Sequence, residues 1–118
     1  MDTEQLLRSL GATGNLKGFS YALYMIGRVR NDPQAGTLIT KHLYPETAKH
    51  FNVTAEAVER NLRTVIRACW NRPDRDLLEE VAGTHLHRKP TNSEFIAMIS
   101  DKLRLELRGA DLERMEAC

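Results

Sequence analysis

The sequence predicts an all-α fold, a compact domain of about six helices. Apolar residues recur at spacings of three and four rather than two, which suits helices and defeats strands. Glycine, proline and asparagine punctuate those stretches at intervals that fit short connections. At 118 residues, with 42% apolar and 28% charged side chains, the chain can bury one modest core and is too short for two ordinary domains. Residues 1–118 therefore read as a single domain, without internal repeat or interdomain linker.

Leu6, Leu7 and Leu10 form a short apolar stripe that stops at Gly11, so a first helix is followed by a loop over residues 11–15. The second helix spans about Lys17 to Arg30. Phe19, Leu23, Ile26 and the stem of Arg30 share its stripe, Tyr21, Tyr24 and Met25 widen it, and Asn31, Asp32 and Pro33 end it. A third helical stretch begins near Gly36 and packs Leu38, Ile39, Leu43 and Tyr44. Pro45 lacks an amide hydrogen and disfavours helical geometry at Tyr44. The helix either kinks there or a new one starts with Pro45 in its first turn.

Thr47, Ala48 and Phe51 then face inward, residues 52–54 form a turn, and Thr54 caps a helix that reaches about Trp70. Leu77, Leu78 and Val81 mark a short helix closed by Gly83, and residues 84–90 form an extended loop or a brief strand. Thr91 or Asn92 opens the last helix, which carries Phe95, Ile96, Met98, Ile99, Leu103 and Leu107 inward. Residues 110–118 either prolong that helix or fray.

The helix after Thr54 carries two faces. At ~100° per residue, Val58, Leu62, Val65 and Cys69 fall on one side with Ile66 beside them. Glu56, Arg60, Arg63 and Arg67 fall opposite, flanked by Glu59 and Thr64. The apolar side must be covered, and the short preceding helix can cover it through Ala48 and Phe51. Ala48 is small enough for two steeply crossing helices to approach, and Asn52 tolerates left-handed backbone in the turn. This is the arrangement of a helix-turn-helix unit, whose second helix presents side chains to the DNA major groove.

Arginine forks can donate to guanine O6 and N7, and a carboxylate can accept from a cytosine amino group. Glu59, Arg60, Arg63, Glu56 and Thr64 are accordingly the base-reading candidates. Lys49, Arg67, Arg72, Lys41 and Ser93 are the phosphate candidates. Ser93 would act from the first turn of the last helix, where backbone amides are free. Seventeen basic and sixteen acidic residues leave a formal charge of only +1, which gives no sign of nucleic acid. Over residues 41–72, however, six basic side chains face Glu46, Glu56 and Glu59, a local balance of +3. An ordinary solvated amphipathic helix would show the same periodicity, so pattern alone leaves both readings open.

Other chemistry has little support. His85 and His87 lack the cysteine or carboxylate partners that would complete a metal site. Cys69 lies on the apolar side of its helix and reads as a core residue. Glu79 and Glu80 need not converge, Asp74 and Asp76 sit in a turn, and the glycines lack a strand-to-helix phosphate cradle. Trp70, Tyr21, Tyr24 and Phe95 read as core aromatics. No catalytic residue, cofactor or metal is expected. Cys69 and Cys118 make no disulfide framework, the first residues are not a signal peptide, and no run approaches the ~20 apolar residues that span a bilayer. A cytoplasmic protein without membrane contact is the expectation.

Two long stretches carry a resemblance. LYPETAKHFNVTAEAVERNLRTVIRACW (residues 43–70) and KPTNSEFIAMISDKLRLE (residues 89–106) resemble the C-terminal DNA-binding domain of the master response regulator of endospore initiation in Bacillus and Clostridium relatives. LKGFSYALYMI (residues 16–26) is a weaker match, and the similarity spans about residues 6–107.

The resemblance implies a six-helix domain with a helix-turn-helix variant that binds short guanine-containing promoter elements, often as tandem protomers. RNA polymerase is the implied protein partner. Glu59, Arg60 and Arg63 fall on the family's base-facing positions. Glu56 stands where a small polar residue is common, Thr64 where histidine is usual, and Asn61 in place of alanine, departures that bear on the DNA sequence preferred.

The family's phosphoacceptor receiver domain has no counterpart in these 118 residues. Either a natural receiver-less protein or a fragment of a longer one fits this, and a receiver-less copy would bind DNA constitutively or compete with the full regulator. The contrasting expectation is a protein-interaction module that modulates a full-length relative without specific DNA binding.

Overall fold

A computed structural model of the chain describes the backbone of residues 2–116 and the side chains of residues 2–106. The side chains of Leu107 and of the 110–118 tail, Cys118 included, lie outside the described residues. The helices are α1 (Thr3–Leu10), α2 (Lys17–Asn31), α3 (Tyr44–Phe51), α4 (Ala55–Trp70), α5 (Asp76–Ala82) and α6 (Asn92–Glu116), and no strand occurs among the described residues. The all-α expectation therefore holds.

Helix α1 starts where the Asp2 carboxylate accepts from the Gln5 amide (2.7 Å) and the Gln5 side chain accepts from the Asp2 amide (3.1 Å). These reciprocal bonds satisfy backbone donors that the first helical turn leaves free. Leu6, Leu7 and Leu10 are buried as the spacing requires.

Helix α2 packs against α1, α3, α4 and α6, so it occupies the middle of the fold. One stripe does not suffice for a helix contacted from several sides. Gly18, Phe19, Tyr21, Ala22, Met25, Ile26 and Val29 are all buried, whereas Leu23, expected on the inward stripe, is only partly covered.

The stretch after α2 departs from expectation. Asp32 is extended (φ −140°, ψ 96°), as a residue preceding proline tends to be, and its carboxylate accepts from the Gln34 amide. Pro33–Gly36 then forms a single 3-10 turn. No α-helix begins at Gly36. Leu38 (φ −124°, ψ 55°) breaks the helical path, and its side chain is 49% exposed rather than packed. Ile39–Leu43 forms a wide π-helical turn that runs directly into α3, with Pro45 in the first turn of the new helix. Pro45 has no amide hydrogen to continue an α-helical ladder, and the wider i→i−5 bonding carries the chain past that gap.

The turn between α3 and α4 closes on two backbone bonds, Val53 N–H to Ala48 O (2.9 Å) and Asn52 N–H to Lys49 O (3.3 Å). Asn52 is left-handed (φ 56°, ψ 49°), the only described non-glycine residue with positive φ. This pairing satisfies the last carbonyls of α3 and reverses the chain tightly. Thr54 then accepts from the Ala57 amide (3.1 Å) and starts α4. The helix-turn-helix connection is formed as the sequence predicts.

Helix α4 packs against α3, and also against α2 and α6. Its tightest approach is to α2 at Gly18. A Cβ built there would lie 2.2 Å from the Asn61 carbonyl oxygen and 2.9 Å from Val65 Cγ2. Backbone meets backbone at this crossing, so neither helix can retreat without disturbing the core. Gly18→Ala is expected to lower stability by about 1–3 kcal/mol, the range typical of forced overpacking. Urea denaturation reads this as a lower midpoint at unchanged slope; a variant as stable as the parent would mean that the crossing has slack.

Candidate nucleic-acid interface

The inner side of α4 is sealed. Val58, Leu62 and Val65 are fully buried, and Ile66 and Cys69 nearly so. Burial pushes the Cys69 thiol up to about 11, which keeps it protonated and unreactive at neutral pH. Turned the other way, Glu56, Arg60, Arg63, Thr64 and Arg67 are exposed, and Glu59 is intermediate. The two-faced helix expected from periodicity is therefore realised residue by residue.

The exposed groups differ in how free they are. Arg63 Nη1 donates to Glu59 Oε1 at 3.2 Å, one helical turn back. Thr64 Oγ1 donates to the Arg60 carbonyl (3.3 Å), and Asn61 Nδ2 to the Ala57 carbonyl (2.7 Å), so both side chains are tied to their own helix. Arg60 and Arg67 have no side-chain partner among the described residues, and neither do Lys41 in the π-helical turn and Lys49 on α3.

Beyond α4, Arg72 Nη1 donates to the Ser9 carbonyl (2.5 Å) while its stem lies over Gly11, which ties the end of α4 to α1. The Arg75 guanidinium sits 3.9 Å from the centre of the Trp70 ring. Trp70, expected as a core aromatic, is thus partly buried beneath an arginine. Of the phosphate candidates, Arg72 has a donor already committed to the fold.

The first helix of the pair is held by a separate cluster. Arg28 Nε donates to Glu46 Oε2 (2.7 Å), Arg28 Nη2 to Glu46 Oε1 (3.2 Å), and the Tyr24 hydroxyl to Glu46 Oε2 (3.1 Å). The Tyr24 ring stacks on His50 at 4.4 Å. The bidentate arginine keeps the Glu46 carboxyl below its ordinary range. Arg28 thereby answers one of the three acids counted against the basic residues of this region. Nothing in the sequence marked the pair, which joins positions 18 apart on different helices.

A groove of about 560 Å³ opens between the π-helical turn, α4 and the start of α6. Glu59 and Arg63 line it from α4, Thr40 from the turn, and Lys89, Thr91 and Ser93 from the other side. The fold thus brings Ser93, distant in sequence, to the same groove as Arg63. Thr40 was not among the predicted site residues, because no helical repeat links it to α4.

The start of α6 is built firmly. Thr91 N–H donates to Glu94 Oε1 (2.9 Å), and Glu94 N–H donates to Thr91 Oγ1 (3.2 Å). Arg88 adds two bonds to the same carboxylate, at 2.8 and 3.1 Å. The adjacent loop is folded around Glu79, whose carboxylate accepts from the Leu86 amide and from His85 Nδ1. Among the described residues no group of three or more histidines, cysteines and carboxylates converges to hold a metal, and no helix is long and apolar enough to cross a membrane.

The family model described as sporulation initiation factor Spo0A C terminal matches residues 3–103. The chain belongs to this Spo0A C-terminal family. The family is one of sporulation-related, DNA-binding effector domains of response regulators that control transcription, and it is not an enzyme family. The match extends from α1 through Leu103 of α6, so it takes in the whole helix-turn-helix unit and the groove beside it.

The Glu94 clasp gives a pH dependence with a defined sign. Arg88 and then the Thr91 amide hold its carboxyl well below the ordinary 4.5, at about 2. A carboxyl depressed in the folded state stabilises above its unfolded value and loses that contribution as pH falls through the folded one. Between pH 4.5 and 2, stability should therefore fall less steeply in Glu94→Gln than in the parent. The difference should be small, because both partners are about half exposed or more. Parallel acid titrations followed by circular dichroism check this, and equal slopes for the two proteins over that range would contradict the assignment.

Proposed function

We propose that this domain binds double-stranded promoter DNA sequence-specifically, with α4 in the major groove, and so regulates transcription linked to sporulation initiation. The observation that carries the reading is the division of α4. Its apolar side is fully dehydrated, while Arg60, Arg63 and Arg67 stand exposed on the other with Glu56 and Glu59 among them. Arg60 and Arg63 are the proposed guanine readers and Glu59 the acceptor for a cytosine amino group, with Glu56 and Thr64 beside them. Lys49, Lys41, Arg67 and Ser93 are the proposed phosphate contacts, and Arg72 joins them through donors not used on Ser9. RNA polymerase and a tandem second copy on the DNA are the proposed protein partners, and promoter binding places the domain in the cytoplasm.

The test compares the family's guanine-containing promoter element with a scrambled duplex at two salt concentrations. The promoter element should bind more tightly at both. Equal affinities would remove specific recognition, and affinity for neither duplex, with a stable complex to another protein, would make this an interaction module instead.

Arg60→Ala should weaken the specific complex by about 1–3 kcal/mol, the value of one good bidentate base contact, and leave the scrambled duplex almost unaffected. Equal loss on both duplexes would take Arg60 out of base reading. Lys49→Ala should weaken both complexes alike and lower the slope of log affinity against log salt by about 1, as expected for one lost phosphate contact. An unchanged slope in a fluorescence-anisotropy titration would place Lys49 off the backbone.

A further inference from the structure

Asn92 is the first residue of α6 and is only 8% exposed, one of three buried polar side chains among the described residues. Its Nδ2 donates to the Tyr44 hydroxyl at 2.9 Å and to the Glu59 backbone carbonyl at 3.2 Å. The amide orientation is fixed chemically, because a carbonyl can only accept and so must face the nitrogen. Both amide hydrogens are therefore spent on other helices, one on α3 and one on α4. A residue needed only to start α6 would have no such requirement, since Thr91 and Glu94 already close the cap.

The place it touches on α4 is informative. Glu59 is a proposed base acceptor, its side chain pairs with Arg63, and Arg60 follows it directly. A hydrogen bond to this carbonyl restrains the turn from which all three project. Tyr44 supplies the second anchor from the first helix of the pair and is itself only 6% exposed. Burying an amide between three helices is costly unless both donors are satisfied, and here they are.

We propose that Asn92 is a positioning residue for DNA reading, whose buried amide holds the Glu59–Arg63 turn of α4 at a fixed rotation against Tyr44 and the start of α6. This role rests on the proposed base reading by α4. It assigns the buried amide, rather than the cap beside it, to specificity: the amide sets where the arginine forks point, and the exposed lysines set only how strongly any duplex is held.

Asn92→Asp separates positioning from capping. It keeps the size, and a carboxylate suits the first turn of a helix, but it sets an oxygen that cannot donate against the Glu59 carbonyl, whereas the Tyr44 hydroxyl can turn to donate to it. The ratio of affinities for the family promoter element and the scrambled duplex should fall about tenfold, within the range of one bidentate base contact. A charge effect alone would weaken both duplexes together and leave that ratio unchanged. In the free protein, amide exchange should become several-fold faster at Arg63, whose N–H faces the Glu59 carbonyl in the helical ladder.

Tyr44→Phe removes one anchor without adding charge and should shift both readings in the same direction by less. It also serves if Asn92→Asp does not fold. A folded Asn92→Asp with parental ratio and parental exchange overturns the proposal. Faster exchange at Arg63 in a domain whose parent does not discriminate between the duplexes would keep the tether, reject α4 as a reader, and overturn the specificity role.

Discussion

Helix α4 can turn a row of arginines to solvent because the opposite row has nowhere else to go. Val58, Leu62, Val65, Ile66 and Cys69 are almost completely removed from water. At about 1.5–3 kcal/mol for each large aliphatic side chain, their burial contributes on the order of 10 kcal/mol, an upper figure because the unfolded chain is itself partly collapsed. Repulsion among like charges one turn apart on the other side is worth only a few tenths of a kcal/mol per pair. The apolar term wins by a wide margin, so core packing decides which face of α4 turns to solvent. Gly18 tightens this further by letting α2 meet α4 at the Asn61 carbonyl without an intervening side chain.

That fixed rotation explains why overall charge says so little. A formal +1 cannot generate a long-range field of consequence, and exposed charges are screened beyond about 8 Å at physiological salt. Local arrangement matters instead. Arg72 and Arg75 are engaged with Ser9 and Trp70, and Arg28 with Glu46, whereas Arg60 and Arg67 keep their donors available. Two kinds of arginine thus serve different ends: one holds helices together, and the other is held out from them.

The sequence made the helical parts legible where a helix buries one periodic face and leaves the opposite one in solvent. Helices α1, α4 and α5 and the apolar face of α6 could be read this way, and Asn52 and Thr54 could be read as turn and cap because their chemistry suits those backbone states. The reading failed between Asp32 and Tyr44. Four apolar residues there suggested one packed α-helical face; Leu43 and Tyr44 are buried and Ile39 partly so, but Pro33 and Pro45 impose a 3-10 turn and a π-helical turn, and Leu38 faces solvent. Leu23 was misplaced because α2 is surrounded, so its inward set is wider than a stripe. The charged face of α4 was visible in advance; the groove beside it was not. Arg63, Thr40, Lys89 and Ser93 come together only through tertiary packing, and the Arg28–Glu46 pair leaves no periodic trace.

The Glu59–Arg63 pair raises a question of competition, since a guanidinium bonded to its own helix is not yet free to read a base. Magnitude settles which contact prevails. Exposed pairs one turn apart on a helix are worth about 0.3–0.5 kcal/mol and weaken with salt. A well-formed arginine fork on guanine is worth about 1–3 kcal/mol of discrimination. The intrahelical bond at 3.2 Å is therefore weak enough to yield on a proper contact, and until then it keeps the long side chain of Arg63 near one orientation. Ordering a free arginine costs rotamer entropy, and a side chain already restrained over its helix has less of it left to lose. On this reasoning the same glutamate that repels phosphate would also ready its neighbour for a base, which gives an acidic residue a place on the proposed DNA-reading face.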